Sequence, residues 1–428
     1  MTTTFSTSST PNPGQGATPA LAAQPPGLPS PWHTPERAAL QQQAREFAMH
    51  EVLPVANELD PQRAEMPRTL IDRLAELGYF GLTVDTAHGG LGLGVFEYCM
   101  VAEELARAWM SVGSIIARAQ GMGTAVADPA RRELLLQRSA RGQWIGAAAL
   151  SEPGAGSDLA AVSTRVVRDG DRLVISGRKR WCGYALAADF IQVLCRERDP
   201  EPGESRSAGL CTVLVEKEPG SFPKGLTGTP IDKVGYHGFL TWDLTFDGVE
   251  VPAHNIVSPA GAGQAGQREA GRRSTFAAIQ RGLNIARVHT AARAVGLARA
   301  AVEDTTAYLQ QRHRFGHPIA DFQALRFTLA DMATQVDQAR AHYRQVAHLL
   351  DEGEPAERES AMAKLAATEM AVVVTNSAMQ LHGGNGYTTE YQVERYWRDA
   401  RLTTIFEGTS EIQRRIISDR MLPRSPLG

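Results

Sequence analysis

The 428-residue chain holds 43% hydrophobic and 21% charged residues, with a formal net charge of −3 at pH 7. That length supports two or three domains around a large core and excludes a peptide-sized or disulfide-stapled scaffold. The near-neutral balance gives no global field to favour nucleic acid. No window approaches the roughly eighteen uninterrupted apolar residues of a membrane span, and the first thirty-five positions contain neither Lys or Arg nor an apolar secretory core. Neither a transmembrane span nor a signal peptide is expected, and neither nucleic acid nor membrane is expected as a partner. Cys99, Cys182, Cys195 and Cys211 show no C-x-x-C spacing and sit in apolar stretches, which suits a reducing cytoplasm.

Residues 1–35, rich in Ser, Thr, Pro, Gly and Ala, lack the periodicity that offsets chain entropy and predict a disordered tail. A helical domain is expected over 36–147, where Leu70, Ile71, Leu74 and Leu77 mark one helix face stopped by Gly78. Over 148–257 the pattern changes to a β-domain. RLVISG, DFIQVLC, GLCTVLVE and WDLTFDGVEV are too short for helices and rich in β-branched residues, and Asp169-Gly170 and Asp247-Gly248 predict hairpin turns. Residues 258–274 form a connection rich in Gly, Ala and Gln. Helical periodicity then holds over 275–428, most clearly at Leu329, Met332, Val336, Ala339, Tyr343, Val346 and Leu350. Their alternating spacings of three and four predict a helix packed nearly parallel to its neighbours. The expected fold is mainly α, with an N-terminal helical domain, a central antiparallel, barrel-like β-domain and a C-terminal four-helix bundle. Long bundle helices commonly pair between subunits, so an oligomer is expected.

Two patterns lead nowhere. Gly261, Gly263 and Gly266 match G-x-G-x-x-G, but they follow a Pro-broken segment and lead into QREAGRR rather than a strand-to-helix crossover. His313 and His317 flank a Phe-Gly turn without a carboxylate or Cys at ligand spacing, so no metal is assigned.

Five segments carry chemistry. Ser151-Glu152-Pro153-Gly154-Ala155-Gly156-Ser157-Asp158 presents bare backbone and hydroxyls to one surface, which suits a polar ring or a phosphate as well as an ordinary turn. Lys179-Arg180-Trp181-Cys182-Gly183 ends a predicted strand with an indole that either covers a planar cofactor or fills the core. Arg312-His313-Arg314-Phe315-Gly316-His317-Pro318-Ile319 sets two guanidiniums beside a chain reversal ahead of Phe322-Gln323, a diphosphate clamp or a solvated helix end. Gln380-Leu381-His382-Gly383-Gly384-Asn385-Gly386 allows close approach of backbone to a ligand. In the fifth, Arg398-Asp399-Ala400 precedes Thr404-Ile405-Phe406-Glu407-Gly408-Thr409-Ser410-Glu411-Ile412-Gln413. Glu407 there follows two apolar residues where a helix should begin at Thr409, so its carboxylate is expected to be partly desolvated and suited to a general base.

In this order and at these separations, the five segments resemble the acyl-CoA dehydrogenase family of flavoproteins over residues 36–422. The resemblance implies one FAD per subunit and a homotetramer. It implies that Ala148, Leu150, Ser151, Gly156 and Ser157, with Trp181, Cys182 and Gly183, line the isoalloxazine. Arg312, Arg314, Phe322 and Gln323 would reach the FAD of a neighbouring subunit, Gln380, Gly383 and Gly384 would touch its adenosine diphosphate portion, and Thr409 and Glu411 would hold the subunit's own flavin. Ser157, Asn284, Arg287 and Gly408 match positions that bind the acyl-CoA thioester, and Glu407 matches the catalytic base.

The implied reaction removes the α-proton at Glu407 as hydride leaves the β-carbon for flavin N5. The enolate charge is held by the backbone N–H of the base and a ribityl hydroxyl. The product is a trans-2-enoyl thioester of CoA or of an acyl carrier, and the electrons pass to an electron-transfer flavoprotein. Some relatives carry the base on a bundle helix near the position of Ala286, which cannot serve. One departure is Gly183, where the family generally has Thr or Ser two residues after the tryptophan. With Cys182 it raises the alternative of a flavin oxidase or monooxygenase of the same fold. A thioester-binding partner subunit without turnover is a further alternative. Tyr98, Met100 and Phe406 are expected pocket walls.

Overall fold

The computed structural model describes residues 32–257 and 268–422. The expected tail, apart from its last residues, lies outside the described residues, as does the Gly261–Gly266 run. Helix α1 (Pro35–Phe47) starts on a Thr34 cap with Pro at its first position, and continues through a wide turn (Ala48–Val52) into α2 (Leu53–Leu59). In α3 (Arg68–Glu76) three residues of the expected stripe, Leu70, Ile71 and Leu74, are buried, the fourth, Leu77, is the half-buried C-cap, and Gly78 in the left-handed region ends the turn. The almost wholly buried α4 (Val95–Ala108) begins at Gly94, where the Asp351 carboxylate accepts from the N–H groups of Val95 and Phe96 at 2.6 and 3.0 Å. A Cβ on Gly94 would meet that carboxylate. Two shorter helices, α5 (Met110–Ile115) and α6 (Pro129–Ala140), complete the first domain.

The central sheet comprises β1 (Gly146–Ala149), β2 (Arg165–Asp169), β3 (Arg172–Gly183), β4 (Phe190–Arg196), β5 (Leu210–Glu216), β6 (Leu226–Pro230), β7 (Thr241–Pro252) and β8 (Ile256–Val257), in the order β6-β7-β3-β2-β4-β5-β8 with β1 beside β4. All four expected strand runs are present. Most pairings are antiparallel, while β1 runs parallel to β4, so the sheet is mixed. Asp169-Gly170 forms the expected β2–β3 turn, but Asp247-Gly248 does not turn the chain. It lies inside β7, where the pairing slips between Ile175↔Val249 and Gly177↔Phe246, and Gly248 at φ +67° makes a β-bulge.

The C-terminal region holds α7 (Arg268–Gln311), a two-stranded hairpin of β9 (His313–Arg314) and β10 (His317–Pro318), α8 (Gln323–Asp351), α9 (Glu357–His382), α10 (Val393–Thr403) and α11 (Ser410–Met421). Helix α7 starts ahead of the expected boundary at residue 275. The predicted seam on α8 is buried from Met332 to Leu350, with Leu329 half-buried at its outer end. Helix α4 packs between α1, α7 and α8 through a buried ionic network. Glu103 accepts from Arg299 and Arg340, both at 3.0 Å, and from the Tyr343 hydroxyl. Arg107 pairs with Glu303 and Asp304 at 2.8 and 2.7 Å.

Candidate active site

The Ser151–Asp158 loop is held from beneath. The buried Glu152 carboxylate accepts from the Ser163 N–H and hydroxyl, the Thr164 N–H and Lys179 Nζ, and Lys179 also donates to Leu150 O at 2.9 Å. Burial works to raise the Glu152 carboxyl, but the bonds from Lys179, Thr164 and Ser163 outweigh it and bring the pKa to about 2. On the outer side Gly154 and Gly156 have no atom within 4 Å of where a Cβ would sit, and Ser157 is exposed. Ala148, Leu150 and Ser151 are half-buried along the same edge.

The Arg180 N–H donates to Ser151 O at 2.8 Å and ties this loop to a bulge in β3. Trp181 occupies the bulge with φ +66°, a strained value for a bulky residue, and its indole is 55% exposed beneath the Arg180 guanidinium at 4.5 Å. Cys182 turns inward, and burial pushes its thiol up to about 12. Gly183 is pressed against Phe239, whose ring carbon would lie 2.4 Å from a Cβ at that position.

Glu407 lies in the turn between α10 and α11, with φ +53°, followed by Gly408 at φ +90°. Gly408 O accepts from Lys364 Nζ at 2.8 Å and from Gln413 Nε2 at 2.9 Å, which also reaches Glu407 O at 3.3 Å. The Glu407 N–H has no acceptor among the described residues. The expected desolvation of its carboxylate is not met by the chain: Glu407 is exposed, because the turn projects it beyond the flanking helices. Its charge nonetheless acts on Tyr98, Arg287 and Lys364, so it lies within electrostatic reach of α4, α7 and α9. Thr409 caps α11, accepting from Ile412 N at 3.4 Å. Glu411 is exposed in the first turn, its carboxyl lowered by its own N–H and the Thr409 hydroxyl.

An aromatic ladder joins the two halves. Phe239 packs on Tyr236 at 5.3 Å, and Tyr236 meets Phe406 edge-on at 5.9 Å. Lys233 Nζ fixes this 231–240 loop by donating to Tyr236 O, Phe239 O and Thr241 Oγ1, while Asp399 accepts from the Tyr236 N–H. Thus Asp399 and its neighbour Arg398, which pairs with Asp60 and Glu394, position the loop. Asn284 donates to Pro355 O and accepts from Arg287, both at 2.8 Å, so its amide holds Arg287 in place. Tyr98 and Phe406 come together around Arg293, whereas Met100, roughly 200° around α4 from Tyr98, packs into the core.

Arg312, Arg314, Phe322, Gln323, Gln380, Gly383 and Gly384 are gathered elsewhere. Tyr308 stacks on His382 at 4.1 Å and donates to its carbonyl, bringing the ends of α7 and α9 together with the β9–β10 hairpin. These residues are exposed or half-exposed and lie roughly 40 Å along α7 from Arg287. A surface depression of about 300 Å³ behind the Ser151 loop is lined by arginines already committed: Arg165 to Asp199, Arg206 to Asp158, and Arg196 to backbone carbonyls.

Sequence reasoning missed Lys364, Phe239, Arg118 and Arg293, and named Gln413 at the end of the fifth segment without giving it a role. Lys364 left a signal, as one of only five lysines and set among alanines in a helix that should be buried. Nothing local marked the others.

Three sequence families match in succession: the acyl-CoA dehydrogenase N-terminal domain over residues 34–143, the middle domain over 147–249 and the C-terminal domain over 276–422. The chain is 38% identical to a benzylmalonyl-CoA dehydrogenase of Aromatoleum aromaticum, over 90% of this chain and 97% of that one. It is 34% identical to the mitochondrial short-chain specific acyl-CoA dehydrogenase of Rattus norvegicus, over 90% and 89%. Butyryl-CoA dehydrogenase from Megasphaera elsdenii superposes with a TM-score of 0.80 at 30% identity, covering 91% of this chain and 98% of that one. The chain therefore belongs to the acyl-CoA dehydrogenase family of flavoprotein oxidoreductases.

Proposed function

We propose that the protein binds FAD and dehydrogenates an acyl thioester, of CoA or of an acyl carrier, to the trans-2-enoyl thioester, with Glu407 as the base. The observation that carries this reading is the Glu407 turn. Its carbonyls are fastened by Lys364 and Gln413, its charge acts on the buried Tyr98, and its own N–H has no acceptor among the described residues. Glu407 takes the α-proton, and its N–H stabilises the charge that develops on the thioester oxygen. The fit to a flavin rests on the open glycine edge at Gly154 and Gly156 and on the exposed Trp181 indole held in a left-handed bulge. FAD held there by these residues would supply the acceptor for the hydride leaving the β-carbon. Ser157, Arg287 and Gly408 hold the thioester end, Thr409 and Glu411 meet the flavin, and an electron-transfer flavoprotein takes the electrons. In this reading the protein works in the cytoplasm.

The oxidase alternative drew on Cys182 and Gly183. The Cys182 thiol is buried and protonated, hence inert, so that alternative rests on Gly183 alone.

A panel of acyl-CoA esters scored by bleaching of the flavin absorbance tests the reading. Glu407→Gln should retain flavin and lose roughly 10²–10⁴-fold or more in the bleaching rate. Near-normal rates in that variant would remove Glu407 from its role.

A further inference from the structure

Most buried guanidiniums here have an obvious counterpart. Arg299, Arg340 and Arg107 face carboxylates, and Arg196 is wrapped by carbonyls. Arg293, on α7, does not. It is 4% exposed, yet among the described residues it donates only to two neutral hydroxyls, Ser114 Oγ and Thr290 Oγ1, and its Nε finds no partner there. Both hydroxyls pass their own protons to helix carbonyls, Met110 O and Ala286 O, so neither offers a compensating charge.

The location of Arg293 gives this excess meaning. Its guanidinium lies 5.0 Å from the centroid of Phe406, the residue before Glu407. The buried Tyr98 phenol sits among the charges of Arg293, Glu407 and Arg118. His289, stacked on Tyr98 at 4.4 Å, is held neutral by burial and by Arg293. Arg118 approaches the far wall, 5.3 Å over the Phe239 ring and 3.5 Å from where a Gly183 Cβ would sit, and it has no hydrogen bond or ion pair among the described residues. Lys364 adds a third cation behind Gly408. Glu407 acts on Arg287 and Lys364, whereas Arg293 and Arg118, the two guanidiniums around Tyr98, have no paired carboxylate among the described residues. A plain hydrocarbon tail entering beside Phe406 would exclude water and leave the Arg293 Nε–H unpaired, which is costly, whereas an anionic oxygen would satisfy it.

We propose that the region between Phe406 and Phe239, where Arg293 and Arg118 approach the two rings, accepts an acyl group ending in a second carboxylate, the monothioester of a dicarboxylic acid, with Arg293 as its principal anchor and Arg118 as a second one. The proposal rests on the reading of Glu407 as the base at an acyl-thioester site.

Binding separates the two ideas without requiring turnover. The flavin-loaded protein is titrated by calorimetry with two unreactive CoA thioethers of equal chain length, S-butyl-CoA and S-(3-carboxypropyl)-CoA. The carboxylated probe is expected to bind about 10- to 100-fold more tightly, and Arg293→Gln to collapse that ratio toward one. Arg293→Lys should restore part of it. Equal affinities in the unaltered protein, a comparison that needs no variant, would overturn the proposal, as would a preference that survives in both Arg293→Gln and Arg118→Gln. If neutral acyl-CoA esters bleach the flavin while the two thioethers bind alike, the dehydrogenase reading stands and only this inference falls. If no ester bleaches the flavin and neither thioether binds, the dehydrogenase reading itself falls and takes this inference with it.

Discussion

Gly183 shows how one residue type depends on a distant one. The place of a side chain at this position is taken by the Phe239 ring, which the 231–240 loop delivers under the hold of Lys233 and Asp399. Introducing Thr there should overpack the contact and cost about 1–3 kcal/mol. In a Phe239→Ala background the same substitution should cost far less, since the space is then free. Urea unfolding of the four proteins checks this, and additive costs would refute the contact. The sequence showed Gly183 as a departure but not its reason, because Phe239 is far along the chain and nothing local points to it. Trp181 and Glu407 stood out in the sequence as candidate site residues. Their left-handed backbone did not, since neither is a glycine and the strain is imposed by a bulge and by Lys364 and Gln413.

At the level of elements, periodicity located the α3 stripe, the α8 seam and four strands, because burial of one face writes itself into spacing. It could not distinguish a turn from a bulge at Asp247-Gly248, since both need a residue at positive φ; the partner strand decides. The network around Glu103, Glu104 and Arg299 was also hidden, as charges on a helix read as a solvated face until tertiary packing buries them. The join between the Ser151 loop and β3 makes a pH-dependent prediction. The folded Glu152 carboxyl titrates at about 2 against an unfolded value near 4.3, so below that value the unfolded chain binds the extra proton. Its stabilisation is complete above about pH 4.5 and disappears as pH falls toward 2. Glu152→Gln should cost about 3–5 kcal/mol at neutral pH by leaving Lys179 buried without its carboxylate. The gap to the unaltered protein should narrow steadily from pH 5 to pH 3 in urea midpoints. A gap constant with pH would refute the assignment.

Across the whole molecule, α7 separates two groups of motif residues by roughly 40 Å, more than a single flavin beside Trp181 and Glu407 would need to serve. The far group carries exposed aromatics, with Phe315 89% exposed at the hairpin tip and Phe327 and Tyr387 also open. Such a patch suits burial against another copy of the chain. A homotetramer in which the hairpin reached a neighbour's FAD would account for both features. Sedimentation equilibrium should give four chains, and Phe315→Asp with Phe327→Asp should lower the mass and release flavin together. A monomer that keeps its full flavin complement would rule this assembly out. The motifs were legible in order, but their division between two ends was not, because linear spacing does not reveal which copy of a site each motif joins.

Because Arg287 lies midway along α7 and Arg312 just beyond its C-terminal end, damage need not be felt where it is made. Within such an assembly, a chain spoiled at Arg314 would keep its own base and impair the site next door, while one spoiled at Glu407 would keep a sound hairpin to lend. Co-refolding the two inactive proteins should therefore give back some turnover, as mixed particles assemble a few complete sites from broken parts.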